Sequence, residues 1–302
     1  MTVSWEGIYP AITTPFTEEH DLDLPLFRKS VRAQIDGGVH GLIIGGSLGE
    51  ASTITNEEKF RLAEAAKKDA PDDFPIIINL AESTTANAVA LAEAAGERDM
   101  DGLMVLPPMK YKATDREVVA WFDEIAASTD LPILVYNNPV DYGIEVTLDM
   151  FGELIEHDNI QAVKESTRDL SNVTRMKNRF GDRIKILCGV DTLALESLLM
   201  GADGWVAGLV DAFPRETVAI YELVQRGRRQ EAVEIYRWFM PLLELDITPQ
   251  LVQNIKLAQQ AEGIGSEHVR PPRLPLIGKE RKRVVGIIEE AIENRPELPD
   301  FN

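Results

Sequence analysis

The stretch from Leu131 to Thr167 begins LPILVYNNP and ends IQAVKEST, and it sets the pattern for the whole chain. It holds two short runs of β-branched and apolar residues, which close at Tyr136 and at Lys164. Two such runs joined by an amphipathic segment are typical of two parallel strands with a helix between them. We therefore expect a phenol and an amine at the ends of neighbouring strands.

The same alternation extends along the rest of the chain. Short apolar runs occur at residues 7–14, 41–46, 75–80, 102–106, 132–136, 160–164, 184–189 and 204–208. Segments between them, such as 56–68, 86–97 and 115–127, carry apolar residues at helical spacing. Strands alternating with helices in this number predict an α/β fold, a (β/α)8 TIM barrel, rather than an open doubly wound sheet. No G-x-G-x-x-G follows the first run, which also disfavours a dinucleotide-binding fold.

The chain changes character after residue 207. Residues 215–293 have helical periodicity and no convincing strand, so they should contain the last barrel helix and a C-terminal helical extension. We place the barrel at residues 1–225 and the extension, packed on the barrel, at residues 226–302. The apolar stretch YRWFMPLLELDI (236–247) within the extension predicts contacts between subunits.

Composition excludes several classes of function. Fifty acidic and 31 basic residues give a net charge of −19, which repels phosphate backbones and anionic membrane surfaces. One cysteine, Cys188, cannot form an internal disulfide, and four scattered histidines do not complete a metal-ligand cluster with it. The start of the chain does not look like a secretory signal, and no apolar run approaches the roughly 20 residues of a membrane span. We expect a cytoplasmic protein without nucleic-acid or membrane partners.

Lys164 and Tyr136 are the strongest candidates for chemistry. Lysine is a poor nucleophile while protonated, and an apolar site that lowers its pKa prepares it to form a Schiff base with a 2-oxo acid. A single lysine at a strand end more commonly reaches to solvent, and a single tyrosine is more commonly a half-buried core residue. In a barrel, however, both would lie on the rim where active sites form.

Two further stretches would lie on the same rim. In GGSLGE (45–50), the backbone N–H groups of Ser47 and Leu48 could bind a carboxylate, and the Ser47 hydroxyl could relay a proton. The alternative is a plain glycine turn with Glu50 as an acid in the first turn of a helix. The seventh run leads into CGVD, which ends at Asp191, and this residue could instead cap a helix.

The motifs GGSLGE, YNNP (136–139) and VKEST (163–167), at these separations, resemble the dihydrodipicolinate synthase / N-acetylneuraminate lyase family of class I, Schiff-base aldolases. The resemblance covers the chain from GIYPAITTPF (7–16) through the C-terminal helices. It implies a (β/α)8 barrel with a C-terminal helical extension and no metal or organic cofactor. It also implies a homotetramer built as a pair of dimers.

The resemblance also implies roles for individual residues. Lys164 would form the imine, Tyr136 would move protons to and from it, and Ser47 would help to hold the carboxylate of the 2-oxo acid. The other residues expected to contact the substrate are Gly46, Leu48, Met109, Asp141, Gly189, Asp191 and Val206.

The chain departs from the synthase pattern at three places. Ser47 and Leu48 stand where the synthase usually has two threonines. Pro108 and Met109, within PPMKYK (107–112), stand where an aromatic pair is expected, although Tyr111 is two residues away. The synthase's proton relay also needs a tyrosine donated by a neighbouring subunit in this segment. After YNNP, Asp141 stands in place of the arginine that binds the carboxylate of the second substrate. An acid there would repel an anionic aldehyde, so we expect weak condensation of pyruvate with aspartate semialdehyde.

These departures favour a Schiff-base lyase or deaminase acting on a small 2-oxo acid or cyclic imine. The specific hypothesis is conversion of 1-pyrroline-4-hydroxy-2-carboxylate to 2,5-dioxopentanoate and ammonia, a reaction associated with hydroxyproline breakdown. The same first steps would serve a 4-hydroxy-tetrahydrodipicolinate synthase or a 2-keto-3-deoxy sugar acid aldolase or dehydratase.

Two functions of a different kind have less support from the residues. A non-catalytic barrel that binds a 2-oxo acid would be marked by loss of Lys164 or Tyr136, and both are present. A metal-dependent barrel lyase would need His and acid ligands at the strand ends. Glu82, after the third run, either joins Asp141 in an acidic lining or is a solvated loop acid.

Overall fold

The apolar runs form short strands that are buried along nearly their whole length, because a parallel sheet covered by helices hides both faces. The structure is a computed structural model that describes residues 3–301. The strands within these residues are β1 Gly7–Pro10, β2 Leu42–Ile44, β3 Ile76–Leu80, β4 Gly102–Val105, β5 Ile133–Asn137, β6 Ile160–Glu165, β7 Lys185–Cys188 and β8 Gly204–Ala207. Their order is β1-β8-β7-β6-β5-β4-β3-β2. The fold is a (β/α)8 TIM barrel, as the sequence predicts.

Helices follow the strands as the periodicity predicts. They are α1 Leu24–Asp36, α2 Asn56–Lys67, α3 Thr85–Glu97, α4 Asp115–Ala127, α5 Pro139–Tyr142, α6 Leu148–Leu154, α7 Ser171–Phe180, α8 Ala194–Leu199, α9 Pro214–Gln225, α10 Arg229–Leu243, α11 Leu251–Ala261 and α12 Gly278–Glu293. Short 3-10 turns lie at Asp191–Leu193 and Leu209–Asp211. No helix described in residues 3–301 is long and apolar enough to cross a membrane.

The first strand is shorter than its apolar run. The run was predicted to extend over residues 7–14, but β1 ends at Pro10. Ala11 still pairs with Ile43 through an isolated parallel bridge. Ile12 N–H still donates to the carbonyl of Ile43 on β2 at 3.1 Å, whereas Thr13 N–H leaves the sheet and donates to Oδ2 of Asp211 at 2.8 Å. The Asp211 carboxylate thus accepts the hydrogen bond that a carbonyl group of a neighbouring strand would otherwise accept.

The chain divides into two compact units. The first comprises residues up to Glu6 together with Pro75–Val206. It contains β3 to β7 and most of β8, all paired in parallel. Within it, β5 and β6 pair over their whole length, with one register shift near the start of β5.

The second unit comprises Gly7–Phe74 together with the residues from Ala207 onward. Its helix α10 packs against α9 and α12. The aromatic core includes Phe213 and Phe239, whose ring centroids lie 5.7 Å apart. Among the residues described after β8 there is no strand, as expected.

A subunit contact at residues 236–247 stays a prediction. Tyr236, Phe239 and Leu242 are buried in the core of the chain itself, and Ile247 is exposed. The apolar stretch packs α10 onto its own neighbours. The division into a barrel of residues 1–225 and an extension of residues 226–302 stays a prediction, because the compact units divide the chain elsewhere.

Candidate active site

Lys164 and Tyr136 lie on adjacent strands at the same level of the sheet. Tyr136 on β5 pairs with Lys164 on β6 in the parallel register, so both side chains leave the same face. Nζ of Lys164 lies 4.2 Å from the centroid of the Tyr136 ring. Both side chains are buried, with 7% and 6% of their surface exposed. The structure therefore brings together the amine and the phenol that the sequence predicts.

The chain turns sharply after β5 because Asn138 and Pro139 start helix α5. Proline suits the first helical position, where its fixed φ fits and its missing N–H is not needed. Oδ1 of Asn138 accepts a hydrogen bond from the backbone N–H of Asp141 at 3.2 Å and so caps the helix. Gly143, with a φ of 73°, ends the helix in the left-handed region. The turn holds Asn138 and Asp141 at the end of β5.

Asn138 connects Asp141 to Tyr136. Its Nδ2 donates to Oη of Tyr136 at 3.1 Å and to Oδ2 of Asp141 at 2.7 Å. The ring of Tyr142 packs edge-on against that of Tyr136, with centroids 5.6 Å apart. Sequence analysis did not identify Asn138 or Tyr142 as part of the site.

Arg168, which was not predicted from the sequence, lies beside Asp141. Its Nη2 is 3.9 Å from Oδ1 of Asp141. Arg168 has a φ of 64°, so the loop after β6 bends in the left-handed region at this residue. A cation therefore accompanies the acid that the sequence suggested would stand alone.

A buried carboxyl group follows Lys164 directly. Oε1 of Glu165 accepts from Thr167 N–H at 2.9 Å, and Oε2 accepts from Nδ2 of Asn172 at 2.9 Å and of Asn137 at 3.4 Å. Burial raises the pKa of Glu165 above its usual range, although these hydrogen bonds oppose the shift. Because its contacts are all N–H donors, Glu165 organises the loop after β6.

Gly189 leaves room for the lysine side chain. A Cβ added to Gly189 would lie 2.6 Å from Cγ and 2.8 Å from Cε of Lys164, much closer than carbon atoms normally approach. It would lie closer still to Oγ of Ser166, a buried hydroxyl without a hydrogen-bond partner in the described part of the chain. A larger residue at position 189 would therefore displace Lys164.

The predicted carboxylate-binding turn follows β2. Gly45 has a φ of 70°, and a Cβ there would lie 2.8 Å from a neighbouring lysine side chain, so the position requires glycine. The carbonyl of Gly46 accepts from Ala51 N–H at 3.1 Å. Ser47 is exposed and Leu48 is buried. The tight turn is present, and the binding of a carboxylate by Ser47 and Leu48 stays a prediction.

Glu50 anchors this turn from inside the protein. Its Oε1 accepts from Nζ of Lys256 at 2.5 Å, and its Oε2 accepts from Arg270 N–H at 3.2 Å. Nη1 of Arg273 lies 3.7 Å from Oε2. Because α2 begins only at Asn56, the alternative of a first-turn helix acid is wrong for Glu50.

The remaining predicted contacts lie at or after the strand ends. Asp191 begins a 3-10 turn after β7, and its Oδ1 accepts from Nε1 of Trp205 at 2.8 Å. Val206 is buried on β8, and Met109 and Glu82 are half-buried after β4 and β3. Contact of these residues with a substrate stays a prediction.

The described side chains offer no metal-ligand cluster. Within residues 3–301, no three His, Cys, Asp or Glu side chains gather in a way that could hold a metal ion. Cys188 is buried on β7, and burial raises the pKa of its thiol to about 11. At neutral pH this thiol is protonated and is not a nucleophile.

Comparison with known proteins identifies the family. The Dihydrodipicolinate synthetase family matches residues 4–291. This chain belongs to the dihydrodipicolinate synthetase family. A 4-hydroxy-tetrahydrodipicolinate synthase from Exiguobacterium sibiricum is 30% identical over 273 residues, which cover 90% of this chain and 92% of that protein. The chain is therefore an enzyme of a lyase family, as the resemblance in its motifs implies.

Solved structures of the family have the same fold. Dihydrodipicolinate synthase from Aquifex aeolicus has a TM-score of 0.90 at 27% identity, covering 98% of this chain and 100% of that chain. A monomeric dihydrodipicolinate synthase variant has a TM-score of 0.88 and covers 95% of this chain and 96% of its own. At 24% identity, the second likeness shows the fold alone. Both support the barrel in which Tyr136 and Lys164 lie side by side.

Proposed function

We propose that this chain is a lysine Schiff-base enzyme in which Lys164 condenses with the carbonyl group of a 2-oxo acid such as pyruvate. The observation that carries the proposal is the position of the Lys164 amine against the Tyr136 ring at 4.2 Å. A buried amine beside a phenol can form an imine while the phenol moves the protons that the reaction releases and consumes. Membership of a class I aldolase family supports the same chemistry.

The first half of the reaction follows from these two groups. The neutral amine of Lys164 attacks C2 of the 2-oxo acid, and the resulting carbinolamine loses its hydroxyl as water to give an iminium ion. Tyr136 supplies and removes protons during these steps. Removal of a proton from C3 then gives an enamine, whose C3 is the nucleophile for a second carbonyl compound. In this scheme, the N–H groups of Ser47 and Leu48 would bind the carboxylate of the 2-oxo acid.

For the second half, we propose 4-hydroxy-tetrahydrodipicolinate synthesis, the reaction for which the similar enzymes are named. In it, the enamine attacks the aldehyde carbon of aspartate semialdehyde, whose oxygen becomes the 4-hydroxyl. The amino group of the condensed chain then attacks the imine carbon, which closes the ring and releases Lys164 as the free amine. The sequence argued against this reaction because Asp141 replaces the expected arginine. Arg168, 3.9 Å from Asp141, offers a cation to an anionic aldehyde and so weakens that argument.

A second candidate is the deaminase predicted from the sequence. It is favoured by Leu48, which is buried and has no hydroxyl at a position where the synthase usually has threonine. Lys164 would attack the ring imine of 1-pyrroline-4-hydroxy-2-carboxylate, a proton would leave C3, and the 4-hydroxyl would leave as water. Water would then hydrolyse the resulting imine at C5, which releases ammonia, and the imine with Lys164, which frees the enzyme and gives 2,5-dioxopentanoate.

Two assays on the purified protein separate these candidates. The first follows condensation of pyruvate with aspartate semialdehyde, and the second follows ammonia release from 1-pyrroline-4-hydroxy-2-carboxylate. A panel of 2-keto-3-deoxy sugar acids serves as comparison for both. Efficient condensation supports the synthase, whereas ammonia release without condensation replaces it with the deaminase. Turnover of a keto-deoxy acid alone would keep the Lys164 imine and discard both substrates.

We also propose that the chain forms a homo-oligomer, as the family resemblance implies. Large apolar side chains are exposed at Leu274 and Ile277, which suits a covered surface. Light scattering would test the assembly against the 33.6 kDa mass of a single chain. A monomer at micromolar concentration would refute the proposal. The monomeric variant of dihydrodipicolinate synthase can serve as the reference for a single chain in the same measurement.

A further inference from the structure

Asn138 occupies an unusual position between the phenol and an acid. Its side chain is buried, and it makes three hydrogen bonds: to Oη of Tyr136 at 3.1 Å, to Oδ2 of Asp141 at 2.7 Å and from the N–H of Asp141 at 3.2 Å. A primary amide has two N–H donors and one carbonyl acceptor. Both donors and the acceptor of Asn138 are therefore used.

Asp141 determines which way this amide faces. Exchange of the amide nitrogen and oxygen would bring the carbonyl of Asn138 against the Asp141 carboxylate and the NH2 group against a backbone N–H. Both contacts would be repulsive, so only the observed orientation satisfies Asp141. In that orientation the nitrogen of Asn138 faces Tyr136, and the phenol oxygen must accept.

This arrangement affects how Tyr136 handles its proton. A hydrogen bond donated to the phenol oxygen is stronger when that oxygen is a phenolate, so it favours release of the proton. Because the oxygen accepts from Asn138, the O–H of Tyr136 is directed to other acceptors. Both effects suit a group that moves protons to and from an imine.

We propose that Asn138 is a positioning residue for Tyr136, and that Asp141 sets the orientation of the Asn138 amide instead of binding the substrate. This inference rests on the proposed function, in which Tyr136 transfers protons. Arg168 contacts the other carboxylate oxygen of Asp141 at 3.9 Å, with both side chains about half exposed, so it contributes little to the orientation.

The proton transfer can be measured without a second substrate. Once pyruvate forms the imine with Lys164, each cycle between iminium and enamine exchanges a C3 proton with solvent. In D2O, the loss of the methyl proton signal of pyruvate by NMR gives the exchange rate. Borohydride trapping of the reduced adduct on the Lys164 peptide measures imine formation separately.

The test uses Asn138→Leu, which keeps the approximate size of the side chain and removes the donor. Trapping on Lys164 should persist, while the C3 exchange rate should fall about tenfold to hundredfold, as expected for loss of a hydrogen bond to a charged oxygen. The limb of the pH profile that Tyr136→Phe removes should move to higher pH. The charged neighbours Lys164, Asp141 and Arg168 are all unchanged in this variant.

Asp141→Asn provides a second variant at an exposed position, so the test does not depend on folding of a buried substitution. It should slow exchange severalfold in the same direction, because an amide at position 141 no longer fixes the orientation of Asn138. Asp149→Asn is the matched control, since Asp149 is exposed and bonded to Arg179. It should exchange at the wild-type rate.

The outcomes separate this inference from the proposed function. In one outcome, Asn138→Leu and Asp141→Asn are both trapped by borohydride, exchange C3 protons at the wild-type rate and keep the wild-type pH profile. That result would overturn the role of Asn138 and leave the imine mechanism intact. Absence of trapping in the wild-type protein would overturn the proposed function itself. Slower exchange in both variants, with the control unchanged, would establish the positioning role.

Discussion

Two buried lysines, Lys164 and Lys256, are used in opposite ways. Lys256 on α11 donates to Oε1 of Glu50 at 2.5 Å and to the carbonyl of His268 at 2.6 Å. Burial lowers the pKa of Lys256 to about 8, although the Glu50 carboxylate opposes this shift. Lys164 on β6 instead lies over the face of the Tyr136 ring and beside a glycine that leaves it room.

The difference shows that burial alone does not identify a nucleophile. An amine bonded to a buried carboxylate cannot attack a carbonyl without breaking that bond, and breaking it would leave a buried charge uncompensated. An amine beside a phenol has a proton carrier next to it. We therefore assign Lys256 to stability and Lys164 to chemistry, and the following experiments test that assignment.

The largest effect is expected for Lys164→Ala. Turnover and borohydride trapping with pyruvate should both disappear, because the amine that forms the imine is gone. The free energy of unfolding should change by no more than about 1 kcal/mol, which denaturant unfolding would measure. Lys256→Met, in conditions where it is folded, should still be trapped at Lys164. A reduced adduct on Lys256 would reverse the assignment.

Tyr136→Phe should have the next largest effect on activity. Turnover should fall about 10²–10⁴-fold, a common contribution of general acid–base catalysis, while trapping on Lys164 persists. Steady-state kinetics and mass spectrometry of the trapped peptide would measure the two effects. Tyr142→Phe removes a hydroxyl from the neighbouring ring and should behave much more like the wild type. Equal losses in the two variants would argue against a specific proton transfer by Tyr136.

Lys256→Met should reduce stability rather than chemistry. It leaves the buried Glu50 carboxylate without its closest cation, so the free energy of unfolding should fall by about 3–5 kcal/mol. Adding Glu50→Gln should restore part of this loss, because the uncompensated charge is then removed. Lys279→Met at an exposed position is the control. A loss no larger than that of the control would contradict the structural role of Lys256.

The buried pair of Lys256 and Glu50 also predicts how stability depends on pH. The folded chain holds Lys256 at a pKa of about 8, below the ordinary value of 10.5. Between these values the unfolded chain binds more protons, so stability rises with pH relative to the Glu50→Gln/Lys256→Met double variant. Denaturant unfolding of both proteins from pH 7 to 10 would measure this difference. A difference that falls over this range has the wrong sign for a lysine with a lowered pKa.

The smallest effect is expected at Cys188, which is another buried group of nucleophilic type. Its thiol donates to the Val190 carbonyl at 3.4 Å, and burial raises its pKa. Cys188→Ala should therefore keep its activity and lose about 1 kcal/mol of stability, measured by kinetics and denaturant unfolding. Loss of activity without loss of stability would point to a catalytic thiol and weaken the case for Lys164.

The strand pattern predicted the barrel and the pairing of Tyr136 with Lys164, because the position of each residue at a strand end follows from local sequence. An apolar run fixes where a strand ends, and the ends of parallel strands meet on one rim. Asn138 could have been found in the same way, since an asparagine followed by proline after a strand is a typical helix start. Its hydrogen bond to Tyr136 could not have been predicted, because it depends on the side-chain rotamers of the two residues.

Other features depend on distant contacts and lie beyond sequence periodicity. Arg168 reaches Asp141 because one residue adopts a left-handed conformation, which no spacing rule predicts for arginine. Lys256 and Glu50 are separated by 206 residues. In the stretch 236–247, sequence alone could not tell which apolar residues are buried within the chain, as Phe239 is, and which are exposed, as Ile247 is.

The anchor of Glu50 also bears on how the protein is made. Glu50 emerges from the ribosome 206 residues before Lys256 and 220 residues before Arg270, which both donate hydrogen bonds to its carboxylate. Burying the Glu50 carboxylate in its left-handed backbone conformation is unfavourable until the cations that pair with it are present. The loop after β2 therefore reaches its final form only after Lys256 and Arg270 have been synthesised, and a chain terminated before them would not acquire it.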